Sequence, residues 1–320
     1  MVRVSILVPI YNVERYLERC LISIFEQTYK NIQYVFVNDC STDNSESILT
    51  SVIKKYPERN NDITIISHSS NKGLASSRKD ALRNVTGDYF INVDSDDYIA
   101  GNAVEIIANK VDATPSDIIV FNGYEVIENK LKILSSGYIP NKKKYLRKII
   151  LNQASPSFCL KAFNTEFFNK SNILPIDGVD NGEDFSTVTP LVYLANKIDY
   201  IDEGLYYYNR DNSDSYTQSL NKSGINQLFM AAKAVEVFLK ERSTDENIDI
   251  LIAGMKIRIK NYLYRCENIS LYPCINELFP EIKQHHTFPS YLPEKILSSM
   301  AERKMYNAAL IYIRLTKAIK

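Results

Sequence analysis

Three carboxylates stand within four residues at the point where a short apolar run stops: Asp94-Ser95-Asp96-Asp97 follows directly on Tyr89-Phe90-Ile91-Asn92-Val93. The β-branched and aromatic residues mark that run as a buried strand. The acidic cluster therefore falls at a strand's carboxyl end, where open α/β sheets bind ligands. Like charges so close repel one another unless a cation neutralises them, and all-oxygen ligands suit a hard divalent ion such as Mg²⁺ or Mn²⁺. The competing reading is a solvated acidic turn that caps the next helix. A second acidic pair, Glu183-Asp184, closes the Gly- and Asp-rich stretch 175–184. A positioned carboxylate there can remove the proton of an attacking hydroxyl; the alternative is a pair that caps a helix starting at Phe185.

Alternating strands and helices must position these groups. Strands are expected over Val2–Val8, ended by Pro9, over Ile32–Val37, over Ile63–Ile66, and in the run before Asp94. Helices with apolar residues at 3.6-residue spacing separate them: Val13 to Phe25, a second marked by Ile48, Leu49, Val52, Ile53 and Tyr56, and a third from Leu74 to Val85 ended by Gly87. Such alternation calls for an α/β fold with a mostly parallel, doubly wound sheet and right-handed crossovers. Each polar loop then follows a strand, so Pro9, Asp39, Asn71 and Asp94 converge on one sheet edge. Further along, the pattern predicts a helix over about 101–111 and a strand over Asp117–Phe121. An edge strand or hairpin arm follows over Tyr124–Leu134, then a basic helix start over 141–150 and a hairpin over Tyr200–Tyr208 with Glu203-Gly204 at its turn. From residue 221 the chain reads as long helices, the last from Glu294 to Lys320, without linker or repeat; residues 221–320 are expected to form a helical region packed on a domain of residues 1–220.

The composition narrows the function classes. The 320 residues hold 38 basic and 38 acidic side chains, so no net field attracts nucleic acid. Five cysteines, odd in number and without a C-x-x-C pair, argue against a zinc site or a disulfide framework and fit a reducing cytoplasm. The start of the sequence lacks the pattern of a signal peptide and no run approaches a membrane span, so neither is expected. The terminal helix sets Lys304, Arg314, Lys317 and Lys320 beside Leu310, Ile311, Ile313, Leu315 and Ile319. A basic amphipathic end of this kind either lies on an anionic membrane surface or docks on its own domain. No G-x-G-x-x-G, P-loop or G-x-S-x-G motif occurs, and the chain has three histidines, so dinucleotide redox chemistry, P-loop phosphoryl transfer and an α/β-hydrolase triad lack their parts.

The motifs that remain resemble the family 2 glycosyltransferases with the GT-A (Rossmann-like) fold, over about the first 215 residues. They are Ser5-Ile6-Leu7-Val8-Pro9-Ile10-Tyr11-Asn12, Val37-Asn38-Asp39-Cys40-Ser41-Thr42-Asp43, Asn71-Lys72-Gly73-Leu74-Ala75 with Arg78, Asp94-Ser95-Asp96-Asp97, and Gly182-Glu183-Asp184, in the family's order. One departure is visible: the family often has V-D-D-G-S-T-D where this chain carries Asn38 and Cys40. The resemblance implies that Pro9 and Tyr11 line a nucleotide pocket and that Asp39 accepts the uracil N3–H. It implies that Asn71 and Arg78 hold the base and a neighbouring carboxylate; the alternative for Arg78 is a surface ion pair on a helix, against which the N-x-G context speaks. Asp94 would contact the ribose, and Asp96 would bind the Mn²⁺ or Mg²⁺ that bridges the two phosphates; Asp97 can simply cap the next helix. Arg210 with the serines of 211–215, Ser215 among them, would grip the diphosphate. Asp184 would be the base and Glu183 its support or an acceptor contact, while Lys161 is an acceptor or structural residue. The implied activity is metal-dependent, inverting transfer of one sugar from a UDP-sugar to a glycan or lipid-linked acceptor at the cytoplasmic face of a bacterial membrane, in surface polysaccharide assembly. Two rivals stay open. A nucleotidyltransferase would want a glycine-rich basic loop after the first strand, and a binding scaffold without turnover would have no need of both Asp96 and Asp184.

Overall fold

The structure, a computed structural model, describes residues 1–212, 220–282 and 292–318. Strand and helix alternate at first: β1 (Val4–Ile10), α1 (Leu17–Phe25), β2 (Ile32–Asn38), α2 (Ser45–Ile53), β3 (Ile63–Ser67), α3 (Leu74–Leu82) and β4 (Tyr89–Asn92). There follow β5 (Tyr98–Ile99), α4 (Ala103–Ala113), β6 (Ile118–Ile127), β7 (Lys130–Leu134), α5 (Lys142–Ile150), β8 (Lys161–Asn164), α6 (Thr165–Ser171), α7 (Glu183–Leu194) and β9 (Ile198–Asn209). The described strands form one nine-stranded sheet, ordered β3-β2-β1-β4-β8-β6-β9-β5, with β7 paired to β6. From β3 to β4 the pairing is parallel. Beyond it the sheet is mixed: β8 lies antiparallel to both β4 and β6, β9 runs parallel to β6, and β5 pairs antiparallel with β9.

Every residue of β1 is buried. That is the signature of a central parallel strand covered on both faces. Its side chains alternate: Ile6 and Val8 pack with Leu21 and Phe25 of α1, Leu49 of α2 and Ile107 of α4, whereas Leu7 packs with Leu82 of α3, Ile149 of α5 and Val188 of α7. The basic stretch 141–150 is thus a helix whose apolar stripe, Tyr145, Ile149 and Ile150, is buried.

Four expectations are corrected. Pro9 does not end β1, which continues to Ile10. The β1–β4 ladder stops at Leu7↔Asn92, and Pro9 faces the same side as Leu7, so its missing N–H falls where β1 has no neighbour to bond. Gly87 does not cap α3, which stops at Leu82; it lets the backbone approach β1, since a Cβ there would stand 2.7 Å from Ser5 Oγ. The segment 200–208 is no hairpin. It lies within β9, whose register against β6 shifts around Asn122, where a Cβ on Gly204 would run into the Tyr124 ring; glycine here accommodates a bulge. Finally, Lys304, with φ +59°, breaks the terminal helix into α11 (Leu292–Glu302) and α12 (Tyr306–Ala318), before which come α8 (Lys222–Arg242), α9 (Ile248–Leu263) and α10 (Tyr272–Glu277).

The chain divides into two compact units, Met1–Ile149 with Gln153–Ser213, and Ile150–Asn152 with Asp214–Lys320. No helix among the described residues is long and apolar enough to cross a membrane. The second unit is helical and centres its charge on Glu236 of α8. Glu236 accepts from Lys256 Nζ of α9 at 2.7 Å and from Lys233 Nζ at 2.9 Å, and Lys256 also reaches Glu281 at 2.6 Å. Burial works against the Glu236 carboxylate, but the two ammonium groups outweigh it and hold its pKa down to about 2, against an ordinary 4.5. A depressed folded-state pKa contributes stability above the unfolded value, and that stability is lost as pH falls from about 4.5 towards 2. Glu236→Gln is therefore expected to cost on the order of 3 kcal/mol at neutral pH by leaving buried Lys256 short of a counter-ion. It should also flatten the acid limb of stability, as measured by denaturant unfolding of the full chain from pH 7 to pH 2.

Candidate active site

The carboxyl ends of β1 and β2 are tied together first. Asn12, with φ +49°, accepts the Thr42 N–H at 2.8 Å through Oδ1 and donates its own N–H to Ser41 Oγ at 3.2 Å. Asn38 Oδ1 accepts the Ser41 N–H at 3.1 Å, a local turn that Asn side chains favour. Cys40, at φ +60°, occupies the left-handed conformation natural to glycine, at the position where the family motif has one. Between them Asp39 is buried. Its Oδ1 accepts the Lys72 N–H and its Oδ2 the Gly73 N–H, both at 2.8 Å, and His68 Nδ1 lies 2.6 Å from Oδ1. Asn71 Oδ1 takes a share of the Gly73 N–H at 2.9 Å, so its side chain shapes the entry to α3. Pro9 is buried beside this loop, and Tyr11 is 39% exposed just past the end of β1.

Helix α3 then carries the charge at the centre of the site. Its N-cap, Gly73 at φ +89°, has no side chain to offer. Asp180 caps from outside instead, accepting the Ala75 N–H at 2.9 Å, and a Cβ on Gly73 would stand 2.5 Å from Asp180 Oδ2. Asp177 holds the same turn through Ser76 Oγ at 3.0 Å and Lys79 Nζ at 2.6 Å. On the next turn Arg78 is 3% exposed at its side chain, and so is no surface ion pair. Nη2 donates to Asp94 Oδ1 at 2.5 Å and Nη1 to Asp184 Oδ1 at 3.0 Å, and Nη1 also pairs with Glu183 Oε1. The Phe158 ring lies 5.7 Å from the guanidinium carbon. Burial alone would lower the guanidinium's pKa, but Asp94 and Asp184 outweigh it and the net direction is up.

One guanidinium thus joins the end of β4 to the start of α7. That helix begins at Glu183, not Phe185, after Gly182 at φ +96°. Glu183 is 3% exposed and is committed to Arg78 and to the Asp184 N–H. Asp184 Oδ1 also accepts the Phe158 N–H at 3.2 Å, while Oδ2 carries no hydrogen bond among the described residues. Burial raises the Asp184 pKa, Arg78 opposes that, and Asp94 adds to the rise.

At the acidic end of β4 the three aspartates part company. Asp97 is 1% exposed; its Oδ2 accepts the Tyr206 hydroxyl at 2.6 Å and its Oδ1 the Asn209 N–H at 2.7 Å. It anchors β9 and does not cap α4, whose N-cap is Asn102. Asp94 keeps Oδ2 clear of the Arg78 bond, and its N–H donates to the Tyr206 hydroxyl at 3.1 Å. Asp96 accepts from Asn212 Nδ2 through Oδ2 at 2.8 Å, and Oδ1 accepts from no other residue among the described residues. Burial, then Asp94, raises the pKa of Asp96; burial, then Asp96 and Asp94, raises that of Asp97 far more. Concentrated negative charge of this kind is what a bound cation relieves, although no ready-made cage of three ligating side chains exists among the described residues.

The remaining candidates stand further out. Arg210 Nε and Nη2 donate to Glu125 Oε1 at 3.0 and 2.5 Å, and its guanidinium lies over the Tyr208 ring. Ser215 lies outside the described residues. Lys161 is fully buried and donates to the Ser155 and Ser157 carbonyls at 3.0 and 2.9 Å. Burial pushes its ammonium down to about 8, and its contacts are those of a brace for the loop before Phe158. Reasoning from sequence missed His68, Asp80, Asp180, Tyr206 and Asn209. Asp180 at least lay within a stretch recognisable as a loop rich in Gly and Asp.

A curled mixed sheet with a carboxylate cluster at the end of its fourth strand is the GT-A glycosyltransferase architecture. S. aureus TarS 1–349, solved in complex with UDP-GlcNAc, shares it with a TM-score of 0.65 at 20% identity, covering 98% of this chain and 87% of that one. The family model Glycosyl transferase family 2 matches residues 5–171, and the chain belongs to that family. It is 34% identical over 218 residues to glycosyltransferase GlyA of Streptococcus pneumoniae serotype 4, covering 64% of this chain and 30% of GlyA. It is also 29% identical over 272 residues to GlyG of the same organism, covering 80% of this chain and 83% of GlyG.

Two outcomes follow from this geometry. Arg78→Lys keeps the charge, but a single ammonium cannot reproduce the planar fork. Glycosyl transfer is expected to fall by at least about 100-fold, with a lowered melting temperature, as read by product formation and thermal unfolding. Cys40→Gly removes a left-handed cost of about 1–2 kcal/mol against a glycine entropy cost of about 0.5–1 kcal/mol. It should therefore stabilise the chain by about 0.5–1 kcal/mol in denaturant titration.

Proposed function

We propose that this chain is a metal-dependent, inverting glycosyltransferase that moves one sugar from a UDP-sugar to a hydroxyl of a glycan or lipid-linked acceptor, in bacterial surface polysaccharide synthesis. The observation that carries the reading is the Arg78 bridge. It sets Asp184 against the acidic end of β4, and among the described residues Asp184, Asp94 and Asp96 each have one oxygen that no other residue's donor reaches. Between such groups a sugar nucleotide has its diphosphate on one side and an incoming hydroxyl on the other.

In this reading the nucleotide lies across the carboxyl ends of β1, β2 and β4. Pro9 and Tyr11 border the base, Asp39 accepts the uracil N3–H, and Asn71 keeps the loop beside it in shape. Asp94 Oδ2 takes a ribose hydroxyl. Asp96, whose Oδ1 meets no other described residue, would hold a hard divalent cation. Mn²⁺ or Mg²⁺ bound there would stabilise charge on the departing diphosphate. Arg210 and Ser215 complete the diphosphate grip; the Arg210 side chain is 42% exposed, so a phosphate can reach its guanidinium. Asp184 Oδ2 takes the acceptor's proton, and the upward shift from burial makes it a stronger base than an exposed aspartate. Glu183 holds Arg78 and the first turn of α7 in place. Attack from the side opposite the leaving diphosphate inverts the anomeric carbon. Ile311 and Leu315, exposed beside Arg314 on α12, supply an amphipathic face for contact with a membrane surface.

UDP release across a panel of UDP-sugars, with Mn²⁺ and Mg²⁺ compared, tests the reading. Asp96→Ala should abolish metal-stimulated release. Asp184→Asn should lower kcat by about 10²–10⁴-fold while UDP binding persists; normal turnover in that variant would remove Asp184 from the role of base.

A further inference from the structure

We propose that His68 is a positioning residue for nucleobase recognition: clamped between Asp39 and Asp80, it determines which oxygen of Asp39 is left to meet the base of the donor nucleotide. The inference rests on the reading of Asp39 as the base-recognising carboxylate.

The geometry follows from counting lone pairs. An ionised carboxylate has about four acceptor positions, two on each oxygen. Asp39 Oδ1 spends both, one on the Lys72 N–H at 2.8 Å and one on His68 Nδ1 at 2.6 Å. Oδ2 spends one, on the Gly73 N–H at 2.8 Å. A single acceptor position on Oδ2 remains. The side chains of His68 and Asp39 are 3% and 4% exposed, so the pair meets in a site shielded from bulk solvent. With His68 in place, a base can offer its N–H only to Oδ2. Without it Oδ1 regains an acceptor position, the carboxylate can turn between its two backbone donors, and the recognition geometry is no longer unique.

His68 is itself held. Its backbone N–H donates to Asn38 O at 2.9 Å, extending the ladder of β2 and β3 by one rung. Its Nε2 lies 3.0 Å from Asp80 Oδ2 on α3, and Asp80 Oδ1 accepts from Arg83 Nη1 at 3.2 Å. A carboxylate only accepts, so in the bond to Asp39 it is His68 Nδ1 that donates. The charged groups around the ring are thus Asp39 after β2, Asp80 on α3, and Arg83 behind Asp80. The relay ends on the helix that carries Arg78. Base recognition and the Arg78 carboxylate bridge are therefore held by one rigid element.

A carboxylate with one free acceptor position selects a base that presents an N–H. Uracil does so at N3, where cytosine presents a lone pair, and a site built around a hydrogen bond rejects the analogue that cannot make it. The experiment compares UDP and CDP binding by calorimetry, and donor KM and kcat, in the full chain and its variants. His68→Ala should weaken UDP binding by about tenfold or more and shrink the UDP-over-CDP preference by a similar factor. Donor KM should rise, while kcat at saturation changes by less than about threefold. His68→Asn, whose Nδ2 can stand in for Nδ1, should recover most of the preference. Asp80→Asn, which leaves Asp39 untouched, should show a smaller loss in the same direction. Thermal unfolding establishes that each variant is folded; should His68→Ala not fold, His68→Asn and Asp80→Asn decide. A UDP-over-CDP preference unchanged within about twofold in the folded variants overturns the inference while leaving the donor reading intact. A wild-type chain with no preference for UDP over CDP overturns both.

Discussion

A guanidinium that is almost wholly buried cannot be left without counter-ions, and this one requirement organises the domain around it. Removing one partner from a buried charge pair costs several kcal/mol, so the groups around Arg78 are bound to one another more firmly than any surface pair could bind them. Those groups come from positions 94, 183 and 184, at the end of one strand and the start of a distant helix. Arg78 converts a topological neighbourhood into a fixed distance. It also lets Asp94, Glu183 and Asp184 stay near one another, since three carboxylates without it would raise one another's pKa values until some took up protons.

Helix α3 is accordingly more than a crossover between β3 and β4. Its first turn presents backbone N–H groups, the positive end of the helix dipole, and both caps for that turn are aspartates from elsewhere: Asp39 after β2 and Asp180 before α7. Its second turn presents Arg78, and its last holds Asp80 against His68. A short helix with a glycine N-cap is weak alone. Here two N–H groups at its start, those of Gly73 and Ala75, are met by carboxylates that belong to loops of the site, so helix and site support one another.

This division explains what could be seen in the sequence. The parallel half of the sheet announces itself through strands of apolar residues separated by amphipathic helices, and Asp94, Asp96 and Asp184 stand out because charge is conspicuous beside such runs. What a side chain does once there depends on partners that spacing does not reveal. Asp97 looks like its neighbours, yet its partners lie 109 and 112 residues further on. Pro9 reads as a stop because its missing N–H forbids a central ladder, but the strand beside it has already ended. Glu203-Gly204 reads as a turn because turns need glycine; a bulge packed under a tyrosine ring needs it equally. His68 carried no pattern at all, being one polar residue at a strand end, and only its two carboxylate neighbours give it meaning.

The same neighbours show how the domain reconciles rigidity with availability. Asp94, Asp96 and Asp184 each commit one oxygen to a protein donor, an arginine, an amide, or an arginine together with a backbone N–H, and among the described residues no other residue's donor reaches the second oxygen. A carboxylate with both oxygens bonded would have nothing to offer a ligand; with neither bonded it would rotate, and ordering it would draw on the binding energy. Half-commitment removes the rotation and leaves the lone pairs, which is preorganisation in its simplest form. Asp97 and Glu183 are the contrasting cases, fully engaged and buried, and their work is to hold the half-committed groups in register. Within one acidic cluster, then, the number of oxygens already bonded separates the carboxylates that support the site from those able to act in it.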